Sequence, residues 1–140
     1  MSIEPEISAA VSPSVATGET VLLVEDEPAV RNAVRRYLHR LGYVVIEAEH
    51  GADALAVSSA HEGKVALVMT DVVMPSMGGG ELVRRLREGR PEIKALFMSG
   101  YGGAAATTIG NLPPDAHFLQ KPFAATSLAT AVRAAIDGST

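Results

Sequence analysis

Five short apolar runs constrain this chain more than any other feature: TVLLV, YVVIEA, VALVMT, IKALFMS and AHFLQ. Each is too short for a helix and is bounded by Gly, Pro, Glu or Asp, which marks a strand. The runs do not alternate apolar with polar residues. A strand that is apolar on both sides is covered on both sides, as in a parallel sheet between two helical layers. Helical patterns fill the gaps. Val30, Val34, Leu38 and Leu41 recur at helical spacing, with Arg31, Arg35, Arg36 and Arg40 between them as a solvated face. Pro28 suits the first turn of that helix and Gly42 its end. GADALAVSSA reads as a short, weak helix. GELVRRLRE puts Leu82, Val83 and Leu86 on one face, and ATSLATAVRAAID aligns Leu128, Val132 and Ile136. Between the last two runs, GGAAATTIG is a marginal helix, poor in large apolar side chains and expected to be mobile until a partner orders it. This alternation predicts an α/β fold: a doubly wound, five-stranded parallel sheet with helices on both faces and right-handed crossovers.

The 140 residues suffice for one domain, placed at 19–138. Residues 1–18 are Ser, Ala, Pro and Glu without a period, and are expected to form a flexible leader or linker. The net charge of −4 argues against gripping nucleic acid by bulk charge. The absence of cysteine excludes a disulfide framework, a thiolate metal site and a thiol nucleophile. No apolar run is long enough to span a bilayer, and the N-terminus lacks the basic start of a signal peptide. The expectation is a soluble, cytoplasmic protein without membrane insertion. His39, His50, His61 and His117 show no metal-ligand spacing.

In such a sheet, ligands bind outside the carboxyl ends of the strands. Glu25, Asp26 and Glu27 follow the first run, Asp71 the third, Ser99 closes the fourth, and Lys121 follows the fifth. These groups are distant in sequence, yet the topology delivers them to one edge. Carboxylates gathered there repel one another and stay ionised only with a cation among them. All-oxygen ligands suit magnesium or calcium, and magnesium better, since a few carboxylates leave room for waters and a phosphate oxygen. Lys121 is a point-charge partner for phosphate, and Ser99 offers a hydroxyl donor. Among such groups Asp71 can attack phosphorus in line, giving an aspartyl phosphate.

Four segments in order, VLLVEDEP, VMTDVVMPSMGG, LFMSGY and FLQKPF, resemble the receiver domain of two-component response regulators from about Thr20 to Asp137. The flavour is that of the C-terminal receivers of hybrid sensor histidine kinases. The resemblance implies a flavodoxin-like strand order, 2-1-3-4-5. It implies that Asp71 accepts a phosphoryl group from a sensor histidine kinase or a histidine phosphotransfer protein. Asp26 would then bind Mg2+ directly, Glu25 through water, and Asp71 and the Val73 backbone carbonyl would complete the protein's ligands. Lys121, before a cis bond to Pro122, would pair with the phosphate. Ser99 and Phe118 would form the switch, reported on the face made by segment 102–110, the fifth strand and the last helix. Phe118 as a plain core residue is the competing reading. The module would act on no free substrate and bind no nucleic acid directly; its output would pass through protein contact, a parent kinase or phosphate transfer.

Three departures from the family pattern stand out. Glu25 replaces a frequent aspartate, Phe118 a frequent tyrosine, and Gly78 a frequent aspartate, so that Gly78-Gly79-Gly80 suggests a loose loop. Two other functions fare worse. An aspartate-based phosphatase needs a second acid where Val73 stands, and GGGEL lacks the lysine of a P-loop. A pseudo-receiver, docking without being phosphorylated, would normally have lost an acid, the hydroxyl or the lysine, and all are present. In the family pattern the bulky Val73 and Tyr101 stand at two variable positions that flank the site, and they are expected to hinder attacking water and prolong the phosphate's life. Tyr101→Glu should therefore lose phosphate faster than wild type, as read by decay of the phosphorylated form.

Overall fold

The computed structural model describes residues 18–74, 76–100 and 112–138. Residues 1–17 of the leader expected at 1–18, Tyr101 and the helix expected at 102–110 lie outside them. The described elements are β1 (Thr20–Val24), α1 (Pro28–Leu41), β2 (Val44–Ala48), α2 (Gly51–Ala60), β3 (Leu67–Asp71), α3 (Gly79–Gly89), β4 (Lys94–Ser99), β5 (His117–Gln120) and α4 (Ala125–Asp137). The strands form one parallel sheet in the order β2-β1-β3-β4-β5. The expected fold class and strand order are both met.

The pleat explains the continuous apolar runs. Successive side chains of a strand point to opposite faces. In β1, Leu22 and Val24 join Val68, Phe97, Ala54 and Leu82 under α2 and α3. Val21 and Leu23 join Met69, Leu96, Leu38 and Val132 under α1 and α4. Each fully buried Leu or Val contributes roughly 1.5–3 kcal/mol, so neither face can take a polar residue cheaply. The edge strands differ from the sequence expectation. β2 is mostly half-buried and Val44 is exposed, while in β5 only Leu119 is buried. An edge strand has a neighbour on one side only, so its cover is thinner.

The helix ends show how the loops are fixed. Gly42 closes α1 at φ 102°, with its N–H donating to the His39 carbonyl and the Tyr43 N–H to that of Leu38; this is a Schellman closure. α2 has little amphipathic character of its own and is held at both ends from outside. At its start, the Asp53 N–H donates to His50 Nδ1 (3.3 Å) while the Glu49 N–H donates to Asp53 Oδ2 (2.9 Å), a reciprocal arrangement like a capping box. At its end, the Arg90 guanidinium donates to the carbonyls of Ser58, His61 and Gly63 and to Ser58 Oγ, all at 2.7–2.8 Å. These bonds satisfy carbonyls that a helix end leaves open.

The three glycines at the start of α3 are not a loose loop. Gly79 and Gly80 are buried in the first helical turn and only Gly78 precedes it. The Gly79 N–H donates to the Val72 carbonyl at 2.9 Å. A Cβ on Gly79 would overlap the Asp71 carbonyl oxygen and press on the Phe97 ring at 3.0 Å, whereas one on Gly78 meets only the Val72 carbonyl at 3.4 Å. Gly79→Ala should thus cost about 1–3 kcal/mol by forcing the backbone of Asp71 aside. Gly78→Ala should change stability by under about 1 kcal/mol, lost N-cap quality being offset by lower unfolded-state entropy. Urea denaturation of the two variants checks the difference.

Candidate functional site

The site is built at the carboxyl edge of β1, β3, β4 and β5. Val24 is in register with Thr70, so the next residues, Glu25 and Asp71, emerge side by side. Asp71 is the last residue of β3, and in register with Met98 of β4. Its carbonyl accepts from Thr70 Oγ1 at 3.2 Å and abuts Gly79, while the following N–H of Val72 donates to the Met98 carbonyl at 3.2 Å. Ser99 ends β4 and is 6% exposed. Its carbonyl accepts from the Lys121 N–H at 2.7 Å, and the Lys121–Pro122 bond is cis, as expected.

From that anchor at the end of β5 the lysine arm crosses β4. Its Nζ lies 2.8 Å from Glu25 Oε1 and 3.0 Å from Asp71 Oδ1. Carboxylate oxygens of Glu25, Asp26 and Asp71 all lie within 4.8 Å of one another. Glu25 is 2% exposed, and its second oxygen accepts the Glu27 N–H at 3.1 Å. Asp26 is exposed and Asp71 half-buried. The three acids offer the oxygen donors a hard divalent cation takes, and Asp26 opens the group to solvent, from which a cation would enter.

Burial raises the pKa of both Glu25 and Asp71; Lys121 opposes this, and neighbouring acids reinforce it (Asp71 acting on Glu25, Asp26 and Glu27 on Asp71). For Lys121 burial disfavours the charged ammonium, but the hydrogen bonds to Glu25 and Asp71 outweigh it and its pKa is raised. The signs follow. Ionising the two acids opposes folding, so their contribution is most favourable below the ordinary carboxylate range and is lost as pH rises through their raised values. The lysine's contribution persists until pH passes its own raised value.

The structure places the remaining residues less uniformly. The Val73 side chain is exposed. Phe118 is 46% exposed, which overturns the reading of it as a core residue; it lies on the edge strand with its ring centroid 5.9 Å from that of buried Phe97. Arg31 departs from its expected place on a solvated helix face. Its Nη1 donates to the Glu25 carbonyl at 2.7 Å and its Nε lies 3.4 Å from Glu47 Oε1, which places it beside the acidic loop. The available signal was its position in the first turn after Glu25 and Asp26, facing the strand edge.

The pattern described for the response regulator receiver domain matches residues 21–133. The chain belongs to the response regulator receiver family. The sensor kinase CckA of Brucella abortus is 49% identical over 116 residues, 81% of this chain but 12% of that protein. The response regulator receiver protein CpdR of the same organism is 37% identical over 103 residues, 74% of this chain and 84% of that one. A crystal structure of the receiver domain of the hybrid histidine kinase CckA superposes with a TM-score of 0.71 at 32% identity, covering 84% of this chain and 98% of the other. A receiver protein from Sinorhizobium medicae gives a TM-score of 0.75 at 26% identity, covering 86% and 96%. This receiver therefore resembles those of hybrid kinases, and it is a two-component signalling module. Among the described residues no helix is long and apolar enough to cross a membrane.

Lys121→Met would leave two adjacent acids without their cation. We expect it to cost roughly 2 kcal/mol in metal-free solution at pH 7. The loss should shrink as pH falls through the raised values of the two carboxylates, whose protonation removes the unpaired charge. Thermal melts of both proteins in chelator across that range check the sign.

Proposed function

We propose that this receiver, spanning 19–138, is a phosphoacceptor in a two-component phosphorelay, with Asp71 the residue phosphorylated. The supporting observation is the Lys121 ammonium within 3.0 Å of both Asp71 and Glu25, with Asp26 beside them. Asp71 Oδ would attack the phosphorus of a phosphohistidine on a sensor histidine kinase or histidine phosphotransfer protein. The new bond is Asp71 O–P, the bond broken is N–P, and the imidazole leaves with the electron pair. Lys121 exchanges part of its carboxylate pairing for the incoming phosphoryl oxygens, and its arm, anchored at Ser99, needs no large movement. Asp26, Asp71 and the Val73 carbonyl would hold Mg2+, with Glu25 acting through water because its own oxygens already serve Lys121 and Glu27. The ion, when bound, neutralises charge on the transferring group.

In this reading Ser99 turns its hydroxyl toward the phosphate and Phe118 leaves its exposed position for the space released. The changed face is that of β5 and α4 together with segment 102–110, and its readers are proteins. The module turns over no free substrate and works in the cytoplasm without contacting nucleic acid.

The test is intact mass after incubation with acetyl phosphate and Mg2+, with Asp71→Asn alongside. One phosphoryl group should appear in wild type, require Mg2+, and be absent from the variant. Mg2+ alone should raise the melting temperature of wild type, by an amount equivalent to about 2.7 kcal/mol at 100 times its Kd, and Asp26→Asn should abolish that rise. Failure to gain mass or to bind beryllofluoride would leave a pseudo-receiver that docks without being phosphorylated.

A further inference from the structure

Arg31 has no part in the chemistry above, yet its side chain is only 15% exposed and makes a charge-assisted hydrogen bond of 2.7 Å to the Glu25 carbonyl. That carbonyl belongs to the peptide joining Glu25 to Asp26. Other bonds hold the loop: the Glu25 N–H donates to the Ala48 carbonyl of β2 at 3.0 Å, the Glu27 N–H donates to Glu25 Oε2 at 3.1 Å, Lys121 Nζ donates to Glu25 Oε1 at 2.8 Å, and the Arg31 N–H donates to the Glu27 carbonyl at 2.9 Å. None of these engages the Glu25–Asp26 peptide itself. Among the described residues no hydrogen bond or ion pair holds the Asp26 carboxylate, so only the backbone fixes the direction in which its side chain leaves the loop. Arg31 is itself steadied from β2, where Glu47 lies 3.4 Å from its Nε and 3.2 Å from the Nε of Arg35.

We propose that Arg31 is a positioning residue of the acidic site: it clamps the Glu25–Asp26 peptide between α1 and edge strand β2 and so aims Asp26 at a bound divalent cation. This rests on the reading of Asp26 as a cation ligand. Groups that orient metal ligands typically change affinity by ~10–100-fold when removed. The charge of Arg31 has the opposite influence. A guanidinium held against the acidic loop repels a second cation, so its removal by charge alone should tighten binding. The two roles of the residue therefore predict opposite signs.

The experiment is calorimetric titration of the full chain with Mg2+, comparing wild type, Arg31→Ala, Arg31→Lys and Arg35→Ala, with folding checked by circular dichroism in chelator. Arg31→Ala should weaken Mg2+ binding about tenfold. Arg35→Ala removes the same charge from the same helix but leaves the Glu25 carbonyl engaged, and should not weaken it. Arg31→Lys should fall between, because an ammonium can reach the carbonyl but cannot fork to Glu47. With acetyl phosphate, the Mg2+ concentration for half-maximal phosphorylation should rise in Arg31→Ala by the same factor, while the rate at saturating Mg2+ stays that of wild type. Unchanged or tighter Mg2+ binding in a folded Arg31→Ala overturns the inference and leaves the cation site standing. If Arg31→Ala does not fold, Arg31→Lys decides alone: binding equal to wild type overturns the inference. Wild type that binds no Mg2+ overturns the reading of the site and this inference together.

Discussion

One ammonium group between two partly desolvated carboxylates organises this protein. Lys121 Nζ reaches Glu25 and Asp71 at 2.8 and 3.0 Å, and these three residues come from the ends of β5, β1 and β3. Without a cation the acids would repel each other in a place where water screens them poorly. With it, three loops distant in sequence are tied across β4 at one edge. The arrangement stays costly, because burial still raises the pKa of both acids. A site that is electrostatically under-compensated in this way favours whatever brings further positive charge, which is the property a divalent-cation site needs.

The rest of the fold serves to hold that edge rigid. The sheet places Glu25 and Asp71 one step beyond the Val24–Thr70 pair. Thr70 and Gly79 crowd the Asp71 carbonyl from two sides, and Phe97, buried in the core, contacts the Gly79 position and stacks toward Phe118. The phosphoacceptor candidate is thereby joined through packed neighbours to an exposed aromatic on edge strand β5. On that side α3 buries its own apolar face of Leu82, Val83 and Leu86, whereas the weakly amphipathic α2 is secured at its end by Arg90 and so need not be stable alone.

Much was legible in the sequence because hydrophobic patterning and strand-end polarity are local signals. The runs ending in Glu25-Asp26, Asp71, Ser99 and Lys121 announced both the sheet and its reactive edge, and the family segments supplied the order of strands. What escaped were interactions carried by long, flexible side chains. Arg31 and Arg90 look like any helix-surface arginine in sequence, since nothing local says where a guanidinium will fork. His50 gave no ligand signal because its work is capping. Phe118 was ambiguous for another reason: exposure on an edge strand depends on what lies beside it, and period alone cannot separate a core aromatic from an exposed one.

By itself the sequence determined the class of fold, the identity of the acids, hydroxyl and lysine, and the edge at which they gather, because strand periodicity and the polarity of strand ends are written in consecutive residues. Only the tertiary structure decided that Glu25 spends its carboxylate on Lys121 and Glu27, that Gly79 is required by the Asp71 carbonyl while Gly78 is not, and that Arg31 holds the peptide before Asp26. Those outcomes turn on distances of a few ångströms between segments far apart in the chain, which residue order does not encode until the sheet has set its register.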